Sequence, residues 1–132
     1  MSAAARSVFA FGLYLAGGGA VLLFAPELAC RVLGLPAADT FWVRMNGMFF
    51  AILAYYCFRA AREERREFMA WSVWPRASTI VFMAVFVAMG LVGPVVLLFG
   101  AVDALAALWT ARALKRGVRR TAPEGSNVAG LA

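Results

Sequence analysis

Long uncharged runs alternate with short clusters of arginine and glutamate along this chain. Ser7 to Pro26 contains no charged residue, and Phe41 to Phe58 carries one, Arg44, near its start. The 35 residues between Arg76 and Arg112 hold a single charge, Asp103. Crossing a hydrocarbon layer ~30 Å thick takes about 20 residues of helix. A backbone in lipid must satisfy its own amides, which makes each such run helical. The last run is too long for one crossing, since as a single rod it would reach ~52 Å. Gly90, Gly93 and Pro94 lie near its middle, where permissive backbone and a missing N–H end a helix.

The pattern therefore predicts four spans: Ser7 to Pro26, Phe41 to Phe58, Pro75 to Met89 and Pro94 to Leu114. The expected fold is all-α, an integral membrane four-helix bundle running up-down-up-down. Arg59 to Glu67 reads as a helical overhang between helices two and three, with Glu63 and Arg66 spaced to pair. Phe68 to Trp74 reads as an interfacial stretch before Pro75 starts the third helix. Residues 1–116 form the transmembrane domain. Residues 117–132, rich in Gly, Arg, Thr, Pro, Ser and Asn, form a basic polar tail without the apolar residues that would offset ordering.

Composition agrees with a bilayer as the solvent. Of 132 residues, 64% are apolar and 15% charged, against about 25% charged in ordinary soluble domains. Mean hydropathy is +0.79. A soluble enzyme, a disordered regulator and a disulfide-stapled secreted domain are excluded. The first run is longer and richer in glycine than the apolar part of a cleaved signal, so it reads as a span. Eleven of the thirteen basic residues fall on one side of a four-span layout: Arg6, then Arg59, Arg62, Arg65, Arg66 and Arg76, then Arg112, Lys115, Arg116, Arg119 and Arg120. The positive-inside bias makes that side cytoplasmic, with both termini there. The overhang is then cytoplasmic, and the expected location is the bacterial inner membrane. Trp42 falls at the outer interface, and Trp71, Trp74 and Trp109 fall near the inner one.

Helices in lipid associate through small residues. Gly12, Ala16 and Ala20 on helix one, Gly47 and Ala51 on helix two, and Gly100 and Ala107 on helix four make the expected packing stripes. Asp103 is the most unusual residue, because a carboxylate about nine residues from either end of its span is costly unless protonated or paired. Arg44, Asn46 and Tyr14 lie at compatible depths and complete an intramembrane polar cluster. The residues leave three roles for it open: a clasp between Asp103 and Arg44 or Asn46, a proton or ion relay, and contact with a neighbouring subunit.

Much familiar chemistry is missing. The chain has no histidine, which removes the usual haem and zinc ligand and the default general base. Cys30 and Cys57 fall at opposite membrane faces, too far apart for one disulfide. No phosphate loop, nucleophile elbow or acidic metal cluster is present. No catalytic residue, metal or cofactor is expected, and the basic face needs no nucleic acid to explain it.

The pattern Trp42-x-Arg44-x-x-Gly47, then Tyr55-Tyr56, Arg59, Arg76, Asp103 and Trp109 resembles a group of small uncharacterised bacterial four-helix membrane proteins, broadly DoxX-like. That resemblance implies an association with quinone or thiosulfate oxidation or with redox partner complexes. Three expectations follow. The first is a non-catalytic accessory subunit of a larger membrane complex, of respiratory or photosynthetic electron-transfer type, with other membrane subunits as partners. The second is a small proton-coupled transporter or channel component using Asp103. The third, from the resemblance, is a quinone-associated redox protein with Tyr55, Tyr56 and Arg59 at the quinone or at an anionic lipid.

Overall fold

The computed structural model describes residues 1–35 and 40–121, with side chains described through 117. Among the described residues there are five helices: α1 (Ala3–Phe24), α2 (Pro26–Leu33), α3 (Thr40–Arg62), α4 (Arg66–Ala88) and α5 (Val96–Thr121). Helix α1, α3, α4 and the Val96–Gly117 part of α5 are each long and apolar enough to cross a membrane. At 1.5 Å per residue each reaches over ~33 Å. The chain is thus a multi-pass membrane protein, with four helices fit to span a membrane among the described residues.

Local signals explain most helix ends. The Ser2 hydroxyl accepts from the Ala5 N–H at 3.1 Å and caps α1. Pro26 sits at the start of α2, Glu27 lies in its first turn and Arg31 in its last, matching the helix dipole. Three helices close on one motif. Leu35 N–H bonds Cys30 O at 2.9 Å, Arg65 N–H bonds Ala60 O at 2.9 Å, and Leu91 N–H bonds Phe86 O at 3.0 Å. In each case the preceding residue is left-handed: Gly34 (φ 67°), Glu64 (φ 52°) and Gly90 (φ 71°). The hairpin expected around Gly90, Gly93 and Pro94 is formed.

Two expectations about the third span are corrected. Helix α4 starts at Arg66 rather than at Pro75, so Phe68 to Trp74 belongs to the same continuous helix as the third span and is not a separate stretch before it. The left-handed Glu64 reverses the chain within Glu63–Arg65, and the overhang shrinks to the last turn of α3. Pro75 then lies inside α4. It removes one helical hydrogen bond, and the Ser78 and Thr79 hydroxyls both donate to its carbonyl, at 2.8 and 3.3 Å. Arg76 moves with this correction. It is not a flanking cytoplasmic charge but a buried residue ten positions into a span. Glu63 pairs with Arg59 and Arg65 rather than with Arg66, because Arg66 donates to Leu114 O at 3.3 Å.

The largest interfaces are α1 with α3 and α4 with α5, and α1 with α5 joins the two pairs. Helices α3 and α4 touch little and flank the central α1 and α5. Backbones approach closely where glycines meet. A Cβ built on Gly47 would lie 2.9 Å from Gly19 O, and one on Gly100 would lie 2.8 Å from Ile80 Cα. Gly12 faces Phe58 and Cys57, Ala107 is buried, and Ala16 is partly buried against the core. Ala20 and Ala51 are exposed. Gly19, one position from Ala20, makes the crossing instead.

The start of α1, the α3–α4 turn and the late part of α5 share one end. The N-terminal amine lies 3.5 Å from Glu64 Oε1, the Ser2 N–H donates to the same oxygen at 2.6 Å, and Arg66 reaches Leu114. The spans therefore alternate in direction. Helix α5 runs through Gly117 to Thr121, past the expected domain limit at 116. Residues 122–132 of the expected tail lie outside the described residues.

Candidate functional site

The buried polar side chains converge on one place between α1, α4 and α5. Ser7, Arg76 and Thr110 are each under a tenth exposed. Ser7 Oγ and Thr110 Oγ1 are 2.9 Å apart, and an Arg76 guanidinium N–H donates to Thr110 Oγ1 at 3.3 Å. The guanidinium carbon lies 3.9 Å from the Phe11 ring centroid, where a cation faces the negative surface of the ring. Carbonyls complete the hydroxyls' needs, with Ser7 reaching Ala4 O at 2.7 Å and Thr110 reaching Ala106 O at 3.0 Å.

Depth follows from helix rise. Arg76 stands ten residues after Arg66, or ~15 Å along α4, while Thr110 stands seven residues before Gly117, or ~10 Å along α5. Helical side chains point back toward the N-terminus. The Arg76 head accordingly meets Phe11 and Thr110 nearer the basic end.

Asp103 lies on the other side of Arg76. Thr79 is beside its carboxyl group, and Arg76 and Tyr14 are within electrostatic reach of it. Among the described residues Arg76 and Asp103 form no ion pair within 4.0 Å. Arg76 Nε and Nη2 and Asp103 Oδ1 are buried without a hydrogen-bond partner. Cys57 of α3 also faces the Arg76 charge. It and Cys30 are both free thiols.

Of the polar cluster expected from sequence, the structure brings Tyr14 and Asp103 together and leaves out Arg44 and Asn46. The clasp with Asp103 is not formed. Arg44 donates to Leu23 O, and Asn46 donates to Trp42 O at 2.9 Å. The reason is topological, because α3 packs on α1 and makes no appreciable contact with α5. Arg76 takes the cationic role through α4. Tyr55 and Tyr56 form an edge-on pair at 5.9 Å on an exposed face of α3, and Arg59 is engaged by Glu63.

Sequence reasoning missed Ser7, Phe11 and Thr110 altogether. The available signal was their matching distance from the basic end on two antiparallel helices. Among the described residues no group of three or more Cys, Asp and Glu side chains is placed to hold a metal ion. Comparison with protein-family models, with curated proteins and with solved structures finds no match to this chain.

Proposed function

We propose that this chain is a non-catalytic accessory subunit of a larger assembly in the bacterial inner membrane, with both ends on the cytoplasmic side. The observation that carries this reading is the inward direction of its intramembrane polar groups. Ser7 meets Thr110, and Arg76 reaches Thr110 and the Phe11 ring, joining three helices of the same chain. What remains outside is a wide surface of large apolar side chains. Trp71, Trp74, Phe82 and Phe86 of α4, with Phe49 and Ile52 of α3, are all exposed and available to neighbouring membrane helices. The DoxX-like resemblance points to an electron-transfer complex as the host. Extraction in mild detergent, followed by mass spectrometry of the intact assembly, tests it. Larger membrane subunits in fixed stoichiometry are expected, and a chain that migrates alone overturns the reading.

A second reading, proton-coupled transport through Asp103, is favoured by the three buried atoms without partners. Unsatisfied donors and acceptors beside an intramembrane carboxyl are what a proton or a polar solute would engage. Proton flux into liposomes holding the chain alone, abolished in Asp103→Asn, would support this second reading over the first.

A further inference from the structure

The end of the bundle where α1 starts carries a cavity of about 930 Å³. Arg6, Arg66 and Arg116 line it together with Glu64, Met69 and Leu114. A second recess of about 340 Å³ shares Arg116, Ala113 and Ala3 with it, and adds Arg112, Trp109, Leu108 and Leu105. The two recesses adjoin at these shared residues. Their outer part is cationic, and their inner part is apolar and runs along α5.

Among the described residues, few of the charges lining these recesses meet an opposite charge. Glu64, the acidic residue in their lining, already accepts from the N-terminal amine and from the Ser2 N–H. Arg66 is tied to Leu114 O. Among the described residues Arg6, Arg112 and Arg116 have no ion-pair partner. Arg6 and Arg116 on the first recess, with Arg112 and Arg116 on the second, present forked donors suited to phosphate. Their depth is right as well. Arg6 is three residues from the start of α1, and Arg116 is one residue from the end of the span Val96–Gly117, so both stand at the level of lipid headgroups. From Arg116 to Leu105 the helix descends ~16 Å, which is a length over which an acyl chain can lie. Trp109, exposed between them, offers the amphipathic ring favoured where headgroup meets hydrocarbon.

The geometry points to a binding site for one anionic glycerophospholipid of the surrounding bilayer, its phosphate held by Arg6, Arg112 and Arg116 and one acyl chain laid along Leu105, Leu108 and Trp109. Cationic recesses between spanning helices recognise anionic headgroups in this way. The assignment requires only that the chain spans a membrane, so it stands whichever function applies.

The test is native mass spectrometry of the full chain released from nanodiscs containing equal parts phosphatidylglycerol and phosphatidylcholine. One retained phosphatidylglycerol per chain is expected, favoured at least tenfold over phosphatidylcholine. Arg6→Gln with Arg116→Gln should abolish that preference. Arg59→Gln with Arg62→Gln removes two charges at the same end but outside the recesses, and should leave the preference intact. Equal retention of the two lipids, or equal loss in both double variants, overturns the assignment. So does displacement of the lipid by millimolar inorganic phosphate, which would show a site for free phosphate instead. All four substituted arginines are exposed, so folding should survive, and the helical circular dichroism of each variant checks this.

Discussion

The Arg76 guanidinium stands over the Phe11 ring, its central carbon 3.9 Å from the ring centroid. That contact binds α4 to α1, two helices that otherwise touch little. A cation–π pair removed from water is worth about 2 kcal/mol. Phe11→Leu keeps the apolar volume near the same size and deletes the ring face, so it should lower stability by about 1–2 kcal/mol. Phe11→Trp, which strengthens the face, should retain the contact if the larger ring is accommodated. Thermal unfolding in one detergent compares the three, and a Phe11→Leu protein as stable as the parent would refute the pairing.

The two hydroxyls beside that pair are coupled across 103 residues of chain. Side-chain hydrogen bonds between membrane helices average ~0.6 kcal/mol and reach ~1.7. A double-mutant cycle with Ser7→Ala and Thr110→Val should give a coupling within that range. Thr110→Val should cost more than Ser7→Ala, because it also strips the acceptor from the Arg76 N–H. A buried donor left unmet costs about 1–3 kcal/mol.

Close backbone crossings set the next expectation. Gly47→Ala drives a Cβ to 2.9 Å from Gly19 O, a backbone atom that cannot swing aside. Forcing atoms into a packed interface costs about 1–3 kcal/mol. Gly17→Ala meets nothing within 4 Å and should be neutral or slightly stabilising. If both substitutions cost the same, the α1–α3 crossing is not where the glycines place it.

Legibility in the sequence divides along the same line as these contacts. The four spans and the Gly90–Pro94 hairpin were readable because uncharged length and a glycine–proline break act on each helix singly. Helix α2 is absent from the four-span reading, although Pro26, Glu27, Arg31 and Gly34 are a complete set of start and stop signals for it. Pro75 carries the signature of a helix start and so puts Arg76 at a boundary, whereas in a span the backbone stays helical around a proline. Asp103 announced itself by its cost in lipid, but its neighbours did not. Depth places Arg44, Asn46 and Tyr14 together, and only helix adjacency separates Tyr14 from the other two. Ser7 and Thr110 were invisible for a further reason: each bonds a carbonyl of its own helix and so looks satisfied when that helix is read alone.

Acid should loosen the basic end of the bundle first. The hydrogen bond from Ser2 holds the Glu64 carboxyl below the usual glutamate range, and hydrogen bonds from Arg65 and Arg59 do the same for Glu63. A depressed folded-state value means the contribution is complete above the unfolded value, about 4.3, and is lost as pH falls through the lowered values. Backbone hydrogen exchange at residues 3–6, followed from pH 6 to pH 3, should quicken beyond its intrinsic pH dependence below about pH 4. Glu64→Gln should already show the loosened state at pH 6. Equal protection in both proteins at pH 6 would detach Glu64 from the N-terminus.

The unpaired charges in mid-span give the last expectation. Arg76 contributes a stem, one hydrogen bond and a ring contact, but it also buries Nε and Nη2 with nothing to meet them, and Asp103 does the same with Oδ1. Removing one of two nearby opposite charges leaves the other without its compensating field, whereas replacing both by apolar groups of similar volume removes the burial cost of both. Asp103→Leu alone should therefore destabilise, and Arg76→Met with Asp103→Leu should recover the loss and more. Arg44→Met with Asp103→Leu should recover nothing, since Arg44 is committed to Leu23 O on the other side of α1. Unfolding midpoints of the three proteins decide it. Recovery by the Arg44 variant and not by the Arg76 variant would place the cationic neighbour of Asp103 on α3 instead of α4. A doubly neutral protein that is more stable yet no longer joins its assembly, or no longer moves protons, would show that Arg76 and Asp103 are kept for function at the expense of stability.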